Sequence, residues 1–92
     1  MQIIWDPDKA AANASAHGVT FVEAATVLDD DMALTREDPD AIGEQRFATL
    51  GLSADGKLLV VIYTYRDPDS IRIISAWKAN KRQTERYEEG RG

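Results

Sequence analysis

Arg66, His17, Glu44 and Arg46 are among the side chains of this sequence whose types could move protons and stabilise charge on phosphorus. RNA cleavage without a metal needs a base for the 2′-hydroxyl proton, a cation beside the phosphate and an acid for the leaving oxygen. The substrate supplies the nucleophile. The chain has no cysteine and one histidine, so it offers neither a thiolate nor a polyhistidine zinc site, and it lacks a P-loop, an H-E-x-x-H pattern and a nucleophile elbow. Any activity must rest on Arg, Lys, His, Glu and Tyr, and neither a metal nor a cofactor is expected.

Each candidate also has a plainer reading. His17 carries an imidazole, which can serve as base or acid, yet His17-Gly18 reads as a helix end where a histidine caps carbonyls. Arg66 could grip a phosphate bidentately or pair with Asp67, Asp69 or another acid. Glu44 and Arg46 alternate as strand neighbours do, which fits a site or an exposed ion pair. Lys78, Lys81, Arg82 and Arg86 could form a phosphate-attracting edge, or pair along a helix with Glu85, Glu88 and Glu89. Trp77 could pack a core or stack on a base. Asp29 to Asp31, with Asp38 and Asp40, read as a solvated acidic rim or a surface for a basic partner rather than a Mg²⁺ site.

The elements that must position these residues are legible from period and punctuation. Gln2 to Trp5 reads as a strand, and Asp6-Pro7-Asp8 opens a helix to about Ala16 with a cap, a first-turn proline and an acid. Thr20 and Glu23 form a capping box, and Phe21, Ala24, Ala25 and Leu28 mark one face of a second helix to Leu28 or Asp29. Strands follow at Met32 to Thr35, Gln45 to Ser53, Lys57 to Arg66 and Ile71 to Trp77, with an Asp55-Gly56 hairpin between the second and third of these. A C-terminal helix runs from about Asn80 to Glu89, after which Gly90 to Gly92 fray.

Pairing Arg66 with Ile71, Thr64 with Ile73, Ile62 with Ser75 and Val60 with Trp77 gives a face map. Val60, Ile62, Thr64, Arg66, Ile73, Ser75 and Trp77 share one face, the binding face. Leu59, Val61, Tyr63, Tyr65, Arg72, Ile74 and Ala76, joined by Leu50 and Leu52, form the floor under the N-terminal helices.

The 92 residues, 43% of them hydrophobic, support one domain over residues 1–92 with a modest core. No apolar run approaches a membrane span and the N-terminus lacks the order of a signal peptide, so a cytoplasmic location is expected. The net charge of −5 argues against a phosphate ligand only on average. Residues 1–44 hold ten acids against two bases, and residues 45–92 hold nine bases against six acids. That asymmetry suggests one surface for an anion and another for a basic partner.

Four stretches taken together, WDPDKAAAN, HGVTFVEAATVLDD, GEQRFATLGLSADGKLLVVIYTYR and RIISAWKANKRQTERYEE, resemble the BrnT family of bacterial type II toxins. The resemblance implies an α+β, RelE-like fold, an antiparallel β-sheet packed with two N-terminal helices and one C-terminal helix. It implies a ribonuclease toxin that restrains translation and growth, with RNA as substrate and no membrane partner. A BrnA-like ribbon-helix-helix antitoxin would neutralise it, and operator DNA would be reached only through that antitoxin. Arg66, Lys9, Asn13, His17, Glu44, Arg46 and Lys78 fit the family pattern. Catalysis is then expected of Arg66, with His17, Glu44 and Arg46, and RNA binding of Trp77, Lys78, Lys81 and Arg82. The chain departs from the pattern at Ala16, where K-H-G is common, and at Trp77, where I-S-A-R is common. Two arginines at 66 and 77 could clamp one phosphate, so Trp77 implies weakened activity. A noncatalytic antitoxin-binding co-repressor is the alternative.

Overall fold

The computed structural model describes residues 1–91. Its order is β1 (Gln2–Ile4), α1 (Pro7–His17), α2 (Phe21–Val27), β2 (Leu34–Glu37), β3 (Phe47–Leu52), β4 (Leu58–Arg66), β5 (Ser70–Lys78) and α3 (Lys81–Arg91). The strands form one sheet in the order β1-β5-β4-β3-β2. The expected antiparallel sheet is corrected to a mixed one, because β1 lies parallel to β5 through Gln2–Ser70, Ile3–Ile71 and Ile4–Arg72.

Local chemistry sets the boundaries. Asp6 accepts the Asp8 N–H at 2.8 Å and Pro7 starts α1; Gly18, at φ 68°, ends it in the left-handed conformation. Thr20 accepts from Glu23 N–H at 3.1 Å, one half of the expected capping box. The Glu23 carboxylate does not close the other half; it takes the Ser53 hydroxyl at 2.9 Å and tethers α2 to the β3–β4 hairpin. Asn80 and Gln83 do cap α3 reciprocally, at 2.8 and 2.9 Å. The C-terminal helix runs on through Gly90 to Arg91, two residues past the expected Glu89; Gly92 lies outside the described residues.

The face map holds for half of its length. Val60 opposes Trp77 and Ile62 opposes Ser75, but a bulge follows, after which Tyr63 opposes Ile73, Thr64 opposes Arg72 and Arg66 opposes Ser70. Ile74 is the extra residue. Ile73 therefore joins the helix side and is buried, while Arg72 and Ile74 move to the other face. Leu50 and Leu52 also lie on that other face, opposite Val60 and Leu58.

Two apolar clusters sandwich the sheet. Val19, Phe21, Ala24 and Val27 pack on Leu59, Val61, Tyr63, Ile71, Ile73 and Ala76. On the reverse, Tyr87 of α3 packs on Leu50, Val60 and Ile62. The Tyr87 hydroxyl donates to Asp30 Oδ2 at 2.6 Å, and the same oxygen accepts the Leu52 N–H at 2.8 Å. Asp30 Oδ1 accepts the Met32 N–H at 2.9 Å. The expectation of a solvated rim is corrected at Asp30, which fastens α3 and β3 to the turn after α2, while Asp29 and Asp31 are exposed. That turn also delays β2 to Leu34, beyond the expected Met32.

Gly51 sits where these parts meet. A Cβ there would lie 2.9 Å from Val27 Cγ1 and 3.0 Å from Ala33 Cβ, inside normal contact. Gly51→Ala is expected to lower stability by about 1–3 kcal/mol, read from the urea midpoint at unchanged slope.

Candidate functional site

The face of the sheet under α3 is only partly covered by it, and the uncovered end carries three of the expected catalytic residues. Alternation along β4 brings Arg66 to this face beyond Thr64. The Thr64 hydroxyl donates to the Gln45 carbonyl at 2.7 Å, which extends the β3–β4 contact past Phe47 and carries Glu44 and Arg46 alongside. Glu44 Oε2 lies 3.3 Å from Arg66 Nη2 and Glu44 Oε1 lies 3.4 Å from Arg46 Nη2. One carboxylate therefore bridges two guanidinium groups. The side chains are 35–45% exposed, open enough to exchange a protein partner for a ligand. Arg46 Nε is buried and makes no hydrogen bond among the described residues.

Arg72 comes to the same face opposite Thr64 through the bulge. Arg36 of β2 opposes Ala48 and faces the same way. Arg36, Arg82, Arg86 and Gln83 then border a cavity of about 450 Å³ whose floor includes Ala48, Leu50 and Val60. Arg36, Arg46, Arg66, Arg72, Arg82 and Arg86 gather on this side of a chain whose net charge is −5. A phosphate ligand is thus compatible with the negative average.

His17 is not brought to Arg66. It is exposed at the end of α1, its ring centroid 6.1 Å from that of Trp77. Trp77 opposes Val60; six residues further along β4, Arg66 is about 20 Å away at the rise of a strand. The two positions share a face, as expected, but one phosphate cannot span them, so the two-arginine clamp is corrected. Trp77 instead packs, half-buried, against the Leu50, Val60, Ile62 and Tyr87 cluster. Lys78 opposes Leu59 and so takes the α1–α2 side, while Arg82 borders the cavity on the other side; Lys81 is exposed at the start of α3. The expected basic edge is split between two faces.

Two family-pattern residues have other duties. Asn13 is buried and bonds the backbone of Ala76 and Val19. Lys9 is exposed on α1. Arg36 was hidden among the acids of the first half, and only the register of β2 against β3 could have revealed it. Among the described residues no group of three or more His, Asp or Glu is placed to hold a metal ion, and no helix is long and apolar enough to cross a membrane.

Two helices on one side of a mixed sheet, and a third helix beside a carboxylate-bridged arginine surface on the other, define a small α+β protein. Within that class the chain belongs to the BrnT family: the family model described as ribonuclease toxin, BrnT, of type II toxin-antitoxin system matches residues 5–83. Membership makes it a ribonuclease toxin of a type II system, for which an antitoxin is the partner. The crystal structure of the Brucella abortus ribonuclease toxin, BrnT, solved at 1.1 Å resolution, is similar in fold. It shows a TM-score of 0.66 at 23% identity, covering 88% of this chain and 99% of that one. Among curated proteins none matches.

Proposed function

We propose that residues 1–92 form one RelE-like endoribonuclease domain that cleaves RNA at the Glu44–Arg46–Arg66 cluster without a metal, restraining translation in the cytoplasm. The observation that carries this reading is the single carboxylate held between two guanidinium groups at 3.3 and 3.4 Å. A phosphodiester presents the same bridging geometry. When it takes over the guanidinium groups, Glu44 is released beside the sugar and accepts the 2′-hydroxyl proton. The 2′-oxygen bonds to phosphorus, the bond to the 5′-oxygen breaks, and Arg66 with Arg46 stabilises the charge gained in between. At this half-exposed site water protonates the leaving oxygen. The products are a 2′,3′-cyclic phosphate and a 5′-hydroxyl. His17 takes no part in that proton transfer; beside Trp77 it contributes to holding the strand. The partner in this reading is a BrnA-like ribbon-helix-helix antitoxin, through which operator DNA is reached.

Purified protein incubated with RNA in EDTA should give those termini. No cleavage, or cleavage only after Mg²⁺ is restored, would overturn the assignment.

The weakening attributed to Trp77 concerns strand binding in this reading, because position 77 is remote from Arg66. Trp77→Arg is therefore expected to raise cleavage less than about tenfold, the order of one added phosphate contact. It should also lower stability, since it places a charge against the Leu50 cluster. A gain of a hundredfold would put position 77 in the chemical step.

A further inference from the structure

The cavity between α3 and the sheet is a separate feature from the carboxylate-bridged arginines, and its lining has a specific chemistry. Its floor is an apolar strip of strand that includes Leu34, Ala48 and Leu50. Its borders carry the guanidinium groups of Arg36, from the edge strand, and of Arg82 and Arg86, from successive turns of α3. None of these three arginines is in an ion pair among the described residues. A flat apolar floor beside unpaired guanidinium planes suits a group that is aromatic on its faces and anionic at its rim.

Position narrows the occupant further. Arg36 opposes Ala48 in the sheet. Arg46 is two residues from Ala48 on the same face, about 7 Å along the strand. That is the scale of one nucleotide step from the phosphate that Arg46 and Arg66 would hold. The volume, about 450 Å³, lies in the range of small-molecule sites of roughly 300–1,000 Å³.

We propose that this cavity is a nucleotide subsite: it takes the unstacked base and phosphate of the RNA residue next to the cleaved bond. The proposal rests on the reading of Glu44, Arg46 and Arg66 as the cleaving cluster. The base lies over Ala48 and Leu50, and Arg36, Arg82 and Arg86 surround its edge and phosphate. The subsite then selects single-stranded RNA, because a base within a duplex cannot leave its stack cheaply.

The test uses the full chain and 2′-O-methyl RNA hexamers, which cannot undergo the cleavage. Each hexamer position in turn is made abasic, and binding is followed by fluorescence anisotropy. One abasic position should weaken binding to the parent protein roughly tenfold, the order of one lost stacking contact. In the Arg36→Ala, Arg86→Ala double variant that dependence should vanish and every hexamer should bind weakly; both side chains are exposed, and circular dichroism checks the fold. Uniform binding across the abasic series, or a double variant that binds as the parent does, would overturn the subsite. So would a double variant that keeps RNA affinity and loses the antitoxin, which would make the cavity a protein-docking surface. Cleavage of ordinary RNA is scored separately. If hexamers bind as described and RNA is never cut, the subsite stands and the assignment of Glu44, Arg46 and Arg66 fails.

Discussion

Arg66→Ala is expected to lower the rate constant of RNA cleavage by about 10²–10³-fold, the typical effect of removing one preorganised charge donor from a transition state. The loss should fall on kcat more than on KM, since the guanidinium meets most charge after the 2′-oxygen has added to phosphorus. Folding should hardly change. The Arg66 side chain is 45% exposed and its partner Glu44 keeps Arg46 at 3.4 Å. An ion pair so open to water is worth about 0–1 kcal/mol, so the midpoint of thermal unfolding should move by less than roughly 5 °C. Arg66→Lys should remain well below the parent, because an ammonium keeps the charge but not the two-pronged geometry. Cleavage by Arg66→Ala within twofold of the parent would remove Arg66 from the chemical step. A collapse of the melting midpoint would mean that the arginine is structural, and the rate would then carry no information on catalysis.

The parts of this site that could be read from the sequence are those fixed by local rules. Capping, the Asp55-Gly56 hairpin and the alternation along β4 placed Arg66 at a strand end on the correct face. What escaped reading depends on one inserted residue or on contacts distant in sequence. The bulge at Ile74 is not marked by glycine or any turn residue, yet it exchanges the faces of Ile73 and Arg72 and so adds a cation to the site. His17 looked like a partner for Arg66 because residue type was visible and distance was not; α1 runs alongside β5 and leaves the histidine by Trp77, at the far end. Asp30 looked like one charge in an acidic run, and its carboxylate accepts hydrogen bonds from Met32, Leu52 and Tyr87. A period-based reading finds which face a residue takes. It does not find which end of the sheet, nor which loop reaches across.

Asn13→Ala should be the more destabilising kind of change, although the residue is far from the chemistry. β1 pairs with β5 only from Ser70 to Arg72, so among the described residues the outer edge of β5 beyond the bulge has no neighbouring strand. The Asn13 side chain takes that place: its Oδ1 accepts the Ala76 N–H at 3.1 Å, and its Nδ2 donates to the Ala76 carbonyl at 2.8 Å and the Val19 carbonyl at 3.1 Å. Alanine would leave three buried backbone groups without a partner, at about 1–3 kcal/mol for each that water does not reach. A net loss of about 3 kcal/mol lowers the thermal midpoint by on the order of 15 °C in a chain of this size. Asn13→Asp separates the amide bridge from simple packing. The carboxylate still accepts from Ala76 N–H but turns an oxygen toward two carbonyls, so Asp should be no more stable than Ala despite its closer shape. Parent-like stability of Asn13→Asp would exclude the bridge. Loss of the bridge should also free the β5 edge for pairing with a second chain, measurable as concentration-dependent aggregation below the melting midpoint. The same bond thus holds α1 to the sheet and covers an edge that β1 is too short to protect.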